Sequence, residues 1–389
     1  MESAKLANLT STSEISASKA TRNESLPVKK LLYFNHFFEQ WDWKFGQGGP
    51  ELFQQQGCRV TNCYITSNKT KFGTIAEFDA VLFYKRLYNF SDPNIIPDQK
   101  QRKSSQRYVM MMQESPMHDY ANYHKLQDFF NWTMTYRMDS DIPIPYGLFV
   151  PKGDVQESIQ NEKTWRAFNY AEFQATLAKR PTEFLQMAKR PNQVLWYVSH
   201  CNAASERDKY AAELSKYINV SIYGKCTMVR PRIDQVLSQF KFYLSFENSF
   251  CTDYITEKFF KRISQGILPI VLGGGNYTRV APPHSFINVL DFPSPRELAK
   301  YLMYLDENRE QYLSYFWWMD YYSVVHKLQL SEGICQLCQM LNADLPVKTY
   351  HSMSDWWRGP RGTRSNSTCR ARYSFPWSKY NSRRKTLNQ

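Results

Sequence analysis

A chain of 389 residues, 42% hydrophobic and 16% aromatic, is comfortable for two domains of roughly 150 to 200 residues and speaks against an intrinsically disordered protein. The net charge of +13 is a weak argument for a nucleic-acid partner, because the stretch after Asp355 holds nine Lys or Arg and no acid. No apolar run approaches the roughly 20 residues of a membrane span and no signal-peptide pattern follows Met1, so any anchor is expected outside this chain.

Residues 1–28 are polar and rich in Ser and Thr, the composition of a flexible stem. Between 29 and 150, "KLLYFNHFF" (30–38), "DAVLFY" (79–84), "RYVMMMQE" (107–114) and "FFNWTMTY" (129–136) read as strands of a first α/β domain. From 151 to 192 the chain turns polar and charged, which we take as a linker or insertion. A second α/β domain then spans 193–330. In it, strand "QVLWYVS", helix "ASERDKYAAELSKYI" and strand "NVSIYG" form a βαβ unit, implying a parallel sheet. A further unit follows: helix "RIDQVLSQF", strand "KFYLSFEN", helix "YITEKFFKRISQ" and strand "ILPIVLGG". Two amphipathic segments near 294–305 and 308–318 complete it. Two such domains leave a cleft lined by the carboxyl ends of strands, where ligands of α/β sheets bind.

The chemistry concentrates in "FENSFCTDYITEK" (246–258). If 254–265 is one helix, Ile255, Phe259 and Ile263 form its core face, and Tyr254, Glu257 and Lys258 share another at i, i+3, i+4. Lys258 suits a diphosphate at a helix N-terminus, and Glu257, which repels phosphate, is better matched to sugar hydroxyls. Arg207, at the start of the preceding βαβ helix, can clamp phosphate. A nucleotide diphosphate carrying a sugar is the inferred ligand. On spacing alone, the same residues make an ordinary solvated helix face. The "GGG" at 273–275 lacks a following Lys-Ser/Thr and is no P-loop.

Eight cysteines, Cys58, Cys63, Cys201, Cys226, Cys251, Cys335, Cys338 and Cys369, accompany eight N-x-S/T sequons at Asn8, Asn23, Asn68, Asn89, Asn131, Asn219, Asn276 and Asn366. Together they suggest the secretory pathway, with disulfides and N-glycans. Spacing alone leaves a four-sulfur zinc site open for Cys58, Cys63, Cys335 and Cys338.

"KFYLSFENSFCTDYITEKFFKRISQGILPIVLGG" closely resembles the signature region of the α1,3-fucosyltransferases of glycosyltransferase family 10. "QESPMH" with "NWTMTYRMDSDIPIPYG" resembles the acceptor-domain block of animal members. "VSHCNAASERDKYAAELSKYINVSIYGKC" resembles their donor-domain entry, and "DWWRGP" the tail of invertebrate enzymes. The resemblance implies a GT-B architecture, two Rossmann-like domains facing one another across a cleft. Carried over residue by residue, it implies Arg207 and Lys258 as the phosphate-binding pair, Asn248 and Tyr254 as donor contacts, Glu257 as the sugar-hydroxyl ligand and Glu114 as catalytic base. It implies inverting transfer of L-fucose from GDP-fucose to the 3-hydroxyl of N-acetylglucosamine on glycoprotein glycans. No metal is obligatory in that scheme, divalent stimulation staying open, and the setting is the Golgi lumen on a type II membrane protein. The cysteines at 58, 63, 335 and 338 resemble those that tie the C-terminal segment, here 331–389, back to the first domain. The cysteine that some vertebrate members carry just before "KFYLSFEN" is missing, so the pairing of Cys201, Cys226, Cys251 and Cys369 stays open.

The acceptor is ambiguous: "DWWRGP" and "NSFCTDYITEKFF" resemble enzymes of the N-glycan core, "QESP" and "DSDIPIPYG" those of antennae. "DSD" (139–141) imitates a metal-binding D-x-D but lies in the acceptor domain, where loop structure is expected. His118 and His124 have no third convergent ligand and read as ordinary polar contacts. The alternatives are a non-catalytic carbohydrate-binding relative and a heparin- or nucleic-acid-binding protein using the basic tail. No nucleic acid is expected as partner.

Overall fold

The structure, a computed structural model, describes residues 27–37, 40–84, 96–119, 123–153, 165–326, 329–360 and 368–370. Its backbone is organised around two parallel sheets. The strands of the first are β1 (Lys29–Tyr33), β2 (Cys63–Thr66), β3 (Ala80–Tyr84), β4 (Arg107–Met112), β5 (Trp132–Thr135) and β6 (Ile142–Pro143), in spatial order β2-β1-β3-β4-β5-β6. A short helix α1 (Pro50–Gln55) links β1 to β2, with Pro50 at its first turn. β7 (Leu148–Pro151) then leaves the sheet.

Helices α2 (Tyr170–Leu177) and α3 (Thr182–Gln186) precede the second sheet. Its strands are β8 (Asn192–Tyr197), β9 (Val220–Tyr223), β10 (Phe240–Phe246), β12 (Leu268–Leu272) and β13 (Ile287–Asn288), in order β13-β12-β10-β8-β9, while the two residues of β11 (Phe250–Cys251) lie outside it. Between them run α4 (Arg207–Leu214), α5 (Ile233–Val236), α6 (Glu257–Ser264) and α7 (Tyr277–Val280). After them come α8 (Pro295–Glu307), α9 (Arg309–Ser314), β14 (Tyr322–Val325), α10 (Leu330–Leu341), α11 (Met353–Arg358) and β15 (Cys369–Arg370).

Both sheets share one winding: counted within each sheet, the order is 2-1-3-4-5, continued by a sixth strand in the first. A doubly wound sheet of this order has its switch point between its first and third strands, where loops diverge to opposite faces and leave a crevice. The central strands are buried on both faces, as crossover helices require, while the edge strand β9 is only half-buried. All five residues of β3, all seven of β10 and all five of β12 are buried.

The stretch expected as a linker is part of the second unit from residue 165 onward. Phe173 of α2 and Met187 just after α3 are buried in the second core, and Trp165, Phe168 and Phe184 pack against it. Arg180 forms two 2.6 Å bonds to Asp320. Residues 154–164 of that stretch lie outside the described residues.

The end of the chain returns to the first unit. β14 pairs antiparallel with β7, after which Leu330, Ile334, Leu337 and Cys338 of α10 enter the core under β1, β3 and β4. Met353 and Trp357 of α11 enter the core on the sheet's other face. Disulfides Cys58–Cys335 and Cys63–Cys338, with Cα–Cα distances of 5.0 and 6.1 Å, fasten α10 there and remove the zinc alternative. The open pairings are Cys201–Cys226 and Cys251–Cys369, and no cysteine is free.

Candidate active site

The second sheet turns its β10 carboxyl end toward the first unit. Residues 247–255 emerge there and pack into the opposite half. Ser249 Oγ accepts from Ser115 Oγ at 2.8 Å, Met138 N donates to Asp253 Oδ2 at 3.1 Å, and Asn248 Nδ2 lies 3.1 Å from His118 Nε2. Cys251 and Tyr254 belong to the core cluster of the first unit, beside Tyr136 and Trp357. The motif's length thus serves two purposes, reaching the opposite half and returning to start α6.

The triglycine 273–275 is what lets this excursion lie flat. A Cβ on Gly274 would fall 2.7 Å from Cys251 N and from Phe250 C, and one on Gly275 would fall 2.5 Å from Ile255 Cγ1. Neither fits without moving backbone or a buried side chain. Gly224, at φ +113°, plays a similar part after β9, since a Cβ there would meet the Val198 carbonyl oxygen at 2.2 Å.

α6 begins at Glu257, not at Tyr254, because Thr256 is its N-cap and accepts from Lys258 N at 3.4 Å. Tyr254 therefore does not share a helical face with Glu257 and Lys258 as the sequence pattern suggested. It sits deeper, 2% exposed, with Oη 3.5 Å from Glu114 Oε2. In α4, Tyr210, Ala211 and Leu214 face the core, and Tyr217 is exposed beyond the helix end.

A cleft of about 620 Å³ opens at the switch point between β8 and β10. Five of the six residues singled out in the sequence line it: Glu114 from the first unit, and Arg207, Asn248, Glu257 and Lys258 from the second. Tyr254 does not; it backs Glu114. The cleft is of the size that drug-sized ligands fill, about 300 to 1,000 Å³. Glu114 follows β4, where Ser115-Pro116 ends the strand and opens a 3-10 turn at 116–118.

The cations differ in how they are held. Arg207 is 3% exposed and donates through Nη1 to Phe246 O at 2.7 Å and through Nη2 to His200 O at 2.8 Å. Its Nε is buried without a partner, and burial pulls the guanidinium below its ordinary value. Lys258 lies 3.1 Å from Glu247 Oε2 and 3.2 Å from Glu257 Oε1, and donates to Thr256 Oγ1 at 2.8 Å. Burial works against the Lys258 ammonium, but Glu247 and Glu257 outweigh it and hold the group above its usual range. Burial likewise pushes Glu257 up, yet Lys258 and the helix-start N–H bring it below the usual carboxylate range.

Three features escaped the sequence reading. Glu247, prominent in the motif but given no role, is fully buried and joins Thr256 to Lys258. Arg262, one turn beyond Lys258, lines the same cleft, and helical spacing alone would have found it. His118, read as an ordinary polar contact and indeed 3.1 Å from Asn248 Nδ2, also lines the cleft beside His200, ring centroids 5.3 Å apart. His124's side chain is not among those described.

Other candidates resolve into structure. Asp139 accepts from Arg137 Nε at 2.8 Å, and Asp141 from Thr133 N and Tyr350 Oη at 2.9 Å each and from Lys348, so "DSD" organises loops. Asn131, a sequon candidate, is 2% exposed. Its Oδ1 accepts from Tyr108 N at 2.8 Å and from Arg102, and its Nδ2 donates to Lys348 O at 2.8 Å. A glycan on that nitrogen fits neither the space nor the bonding, which corrects the sequence expectation. Asn68, Asn219 and Asn276 are exposed; Asn89 and Asn366 lie outside the described residues.

Residues 27–147 match the family model "Fucosyltransferase, N-terminal" and residues 187–356 match "Glycosyltransferase family 10 (fucosyltransferase) C-term". The chain is 31% identical to alpha-(1,3)-fucosyltransferase C of Drosophila melanogaster, over 85% of this chain and 78% of that one. It is 33% identical to glycoprotein 3-alpha-L-fucosyltransferase A of Drosophila melanogaster, over 86% of this chain and 61% of the relative. To 4-galactosyl-N-acetylglucosaminide 3-alpha-L-fucosyltransferase 9 of Homo sapiens it is 31% identical over 88% of each. A crystal structure of an alpha1,3-fucosyltransferase with GDP-fucose has a TM-score of 0.52 at 17% identity, covering 86% of this chain and 96% of the other, a likeness of fold.

Proposed function

Because the chain belongs to glycosyltransferase family 10, the fucosyltransferases, we propose that it moves L-fucose from GDP-fucose to the 3-hydroxyl of N-acetylglucosamine on glycoprotein glycans, inverting the anomeric carbon. The enzyme class, α1,3-fucosyltransferase with GDP-fucose as donor, follows from the family and its relatives. Acceptor, stereochemistry and residue roles are our reading. The observation that carries it is that a carboxylate of one unit and two cations of the other, Glu114, Arg207 and Lys258, line one cleft.

In this reading the guanine lies toward the aromatic wall of Trp196, Tyr197 and Tyr243, and the diphosphate lies against Arg207 and Lys258. Arg207 Nε, unpartnered and buried, offers a donor to a phosphate oxygen. Glu257, held ionised, accepts from fucose hydroxyls. The acceptor hydroxyl attacks the anomeric carbon opposite the diphosphate through an oxocarbenium-like state. Glu114 takes its proton, and the two cations meet the charge that develops on the leaving group. Divalent-metal stimulation is a separate question, decided by assaying with and without a chelator. Four disulfides suit an oxidising compartment, in keeping with the Golgi lumen.

The test is Glu114→Gln. Transfer falls by at least about a hundredfold, the scale of general-base catalysis, whereas GDP-fucose affinity measured by calorimetry stays within about twofold. Transfer at the normal rate removes Glu114 as the base. Mass spectrometry of linkages formed on a core-type Asn-linked glycan and on N-acetyllactosamine antennae decides the acceptor.

A further inference from the structure

Glu247 takes no step in the transfer just described, yet it is a carboxylate with no exposed surface, lying behind the cleft-lining Lys258. Oε1 accepts from Thr256 N at 2.8 Å and from Thr256 Oγ1 at 3.0 Å, and Oε2 lies 3.1 Å from Lys258 Nζ. Gly273 makes room for it: a Cβ there would stand 3.2 Å from Glu247 Cγ and 2.7 Å from Tyr277 Oη. A buried carboxylate is tolerated only when paired and hydrogen-bonded, and Lys258 is the cation that pairs with it.

The consequence concerns charge balance. Lys258 already contacts two carboxylates, Glu247 at 3.1 Å and Glu257 at 3.2 Å. Arg207 commits both Nη atoms to backbone carbonyls. Both acids thus stand against Lys258, whereas the Nη atoms of Arg207 face carbonyl dipoles. A free nucleoside diphosphate carries about one more negative charge near neutrality than its sugar ester, because a terminal phosphate loses its second proton near pH 6. Uncompensated positive charge would hold the product more tightly than the donor.

We propose that Glu247 is a built-in counter-ion that acts through Lys258 to weaken the hold on the nucleoside diphosphate product and so favour its release. It is a positioning residue, and the proposal rests on the reading that Lys258 faces the diphosphate.

Glu247→Gln tests it, since the amide oxygen keeps the bonds from Thr256 while the charge is lost. Titration calorimetry with GDP should show binding about tenfold tighter than wild type, a scale set by one charge across a few ångströms of protein. GDP-fucose should gain less, and product inhibition during turnover should rise. Damage to structure alone weakens binding, so a gain separates the two. Unchanged or weaker GDP binding by a folded Glu247→Gln protein overturns the proposal. Should that variant not fold, Glu247→Asp, which keeps the charge but retreats from Lys258, is expected to bind GDP tighter than wild type by a smaller factor; wild-type or weaker affinity overturns the proposal equally. In a Lys258→Met background the gain should vanish, and its persistence refutes action through Lys258. Wild-type protein that binds no GDP would instead defeat the functional reading itself.

Discussion

Lys258 is bound from two sides, and removing it has two measurable effects. On the proposed reading, in which Lys258 faces the diphosphate, Lys258→Ala should lower GDP affinity by about ten- to a hundredfold. It also leaves the buried Glu247 unpaired, which should cost about 3 kcal/mol of stability, read from the denaturation midpoint. A GDP-affinity loss with no loss of stability would mean that the bonds from Thr256 suffice to hold Glu247 without its cation. Asn131 is the second residue-scale case: its amide atoms are engaged within the core. Peptide mapping of secreted protein should find glycans on the exposed Asn68, Asn219 or Asn276 and none on Asn131. The sequon was legible in the chain, but its burial depends on Arg102 and on Lys348, 217 residues away.

At the scale of elements, the loop from β10 to α6 is the piece on which the site depends. Gly274→Ala places a methyl 2.7 Å from the Cys251 backbone nitrogen, and we expect a loss of about 1 to 3 kcal/mol in chemical denaturation, the usual range for overpacking. Stability equal to wild type would show that the loop can move aside. Four strands of each sheet were legible in the sequence, because strands of a parallel sheet are buried on both faces and leave little room for polar residues, whereas β2, β6 and β13 were not read as strands. The start of α6 was not legible either, since Tyr254 and Ile255 carry a helical spacing that Thr256 interrupts by capping. Periodicity cannot see a cap two residues inside its own pattern. Nor did α10 and α11 stand out, although their buried faces complete the first core.

For the whole molecule, acid stability offers a test of the second core. His284 is stacked on Phe168 and Tyr315 with ring centroids 4.2 and 3.9 Å away, and burial pushes its pKa down to about 4 from 6.5. Below pH 6.5 the unfolded chain takes up a proton that the folded chain refuses, so stability falls as pH drops toward 4. Between pH 7 and 5 the loss should approach about 2 kcal/mol, seen as a falling Tm. His284→Asn, which tolerates the φ of 53° found there, should flatten that dependence. An undiminished pH slope in the variant would assign the effect to other groups.

Taken alone, the chain indicated the kind of architecture and the disulfide-bonded character, because buried parallel strands and paired cysteines are local patterns, and its family resemblance singled out five residues that line the cleft. Only the tertiary structure decided which polar groups face the cleft and which are spent within the fold. Glu247, Tyr254, Asn131 and the "DSD" acids look alike on the page as polar groups. Their different fates follow from burial and from partners far along the chain, which no local pattern encodes.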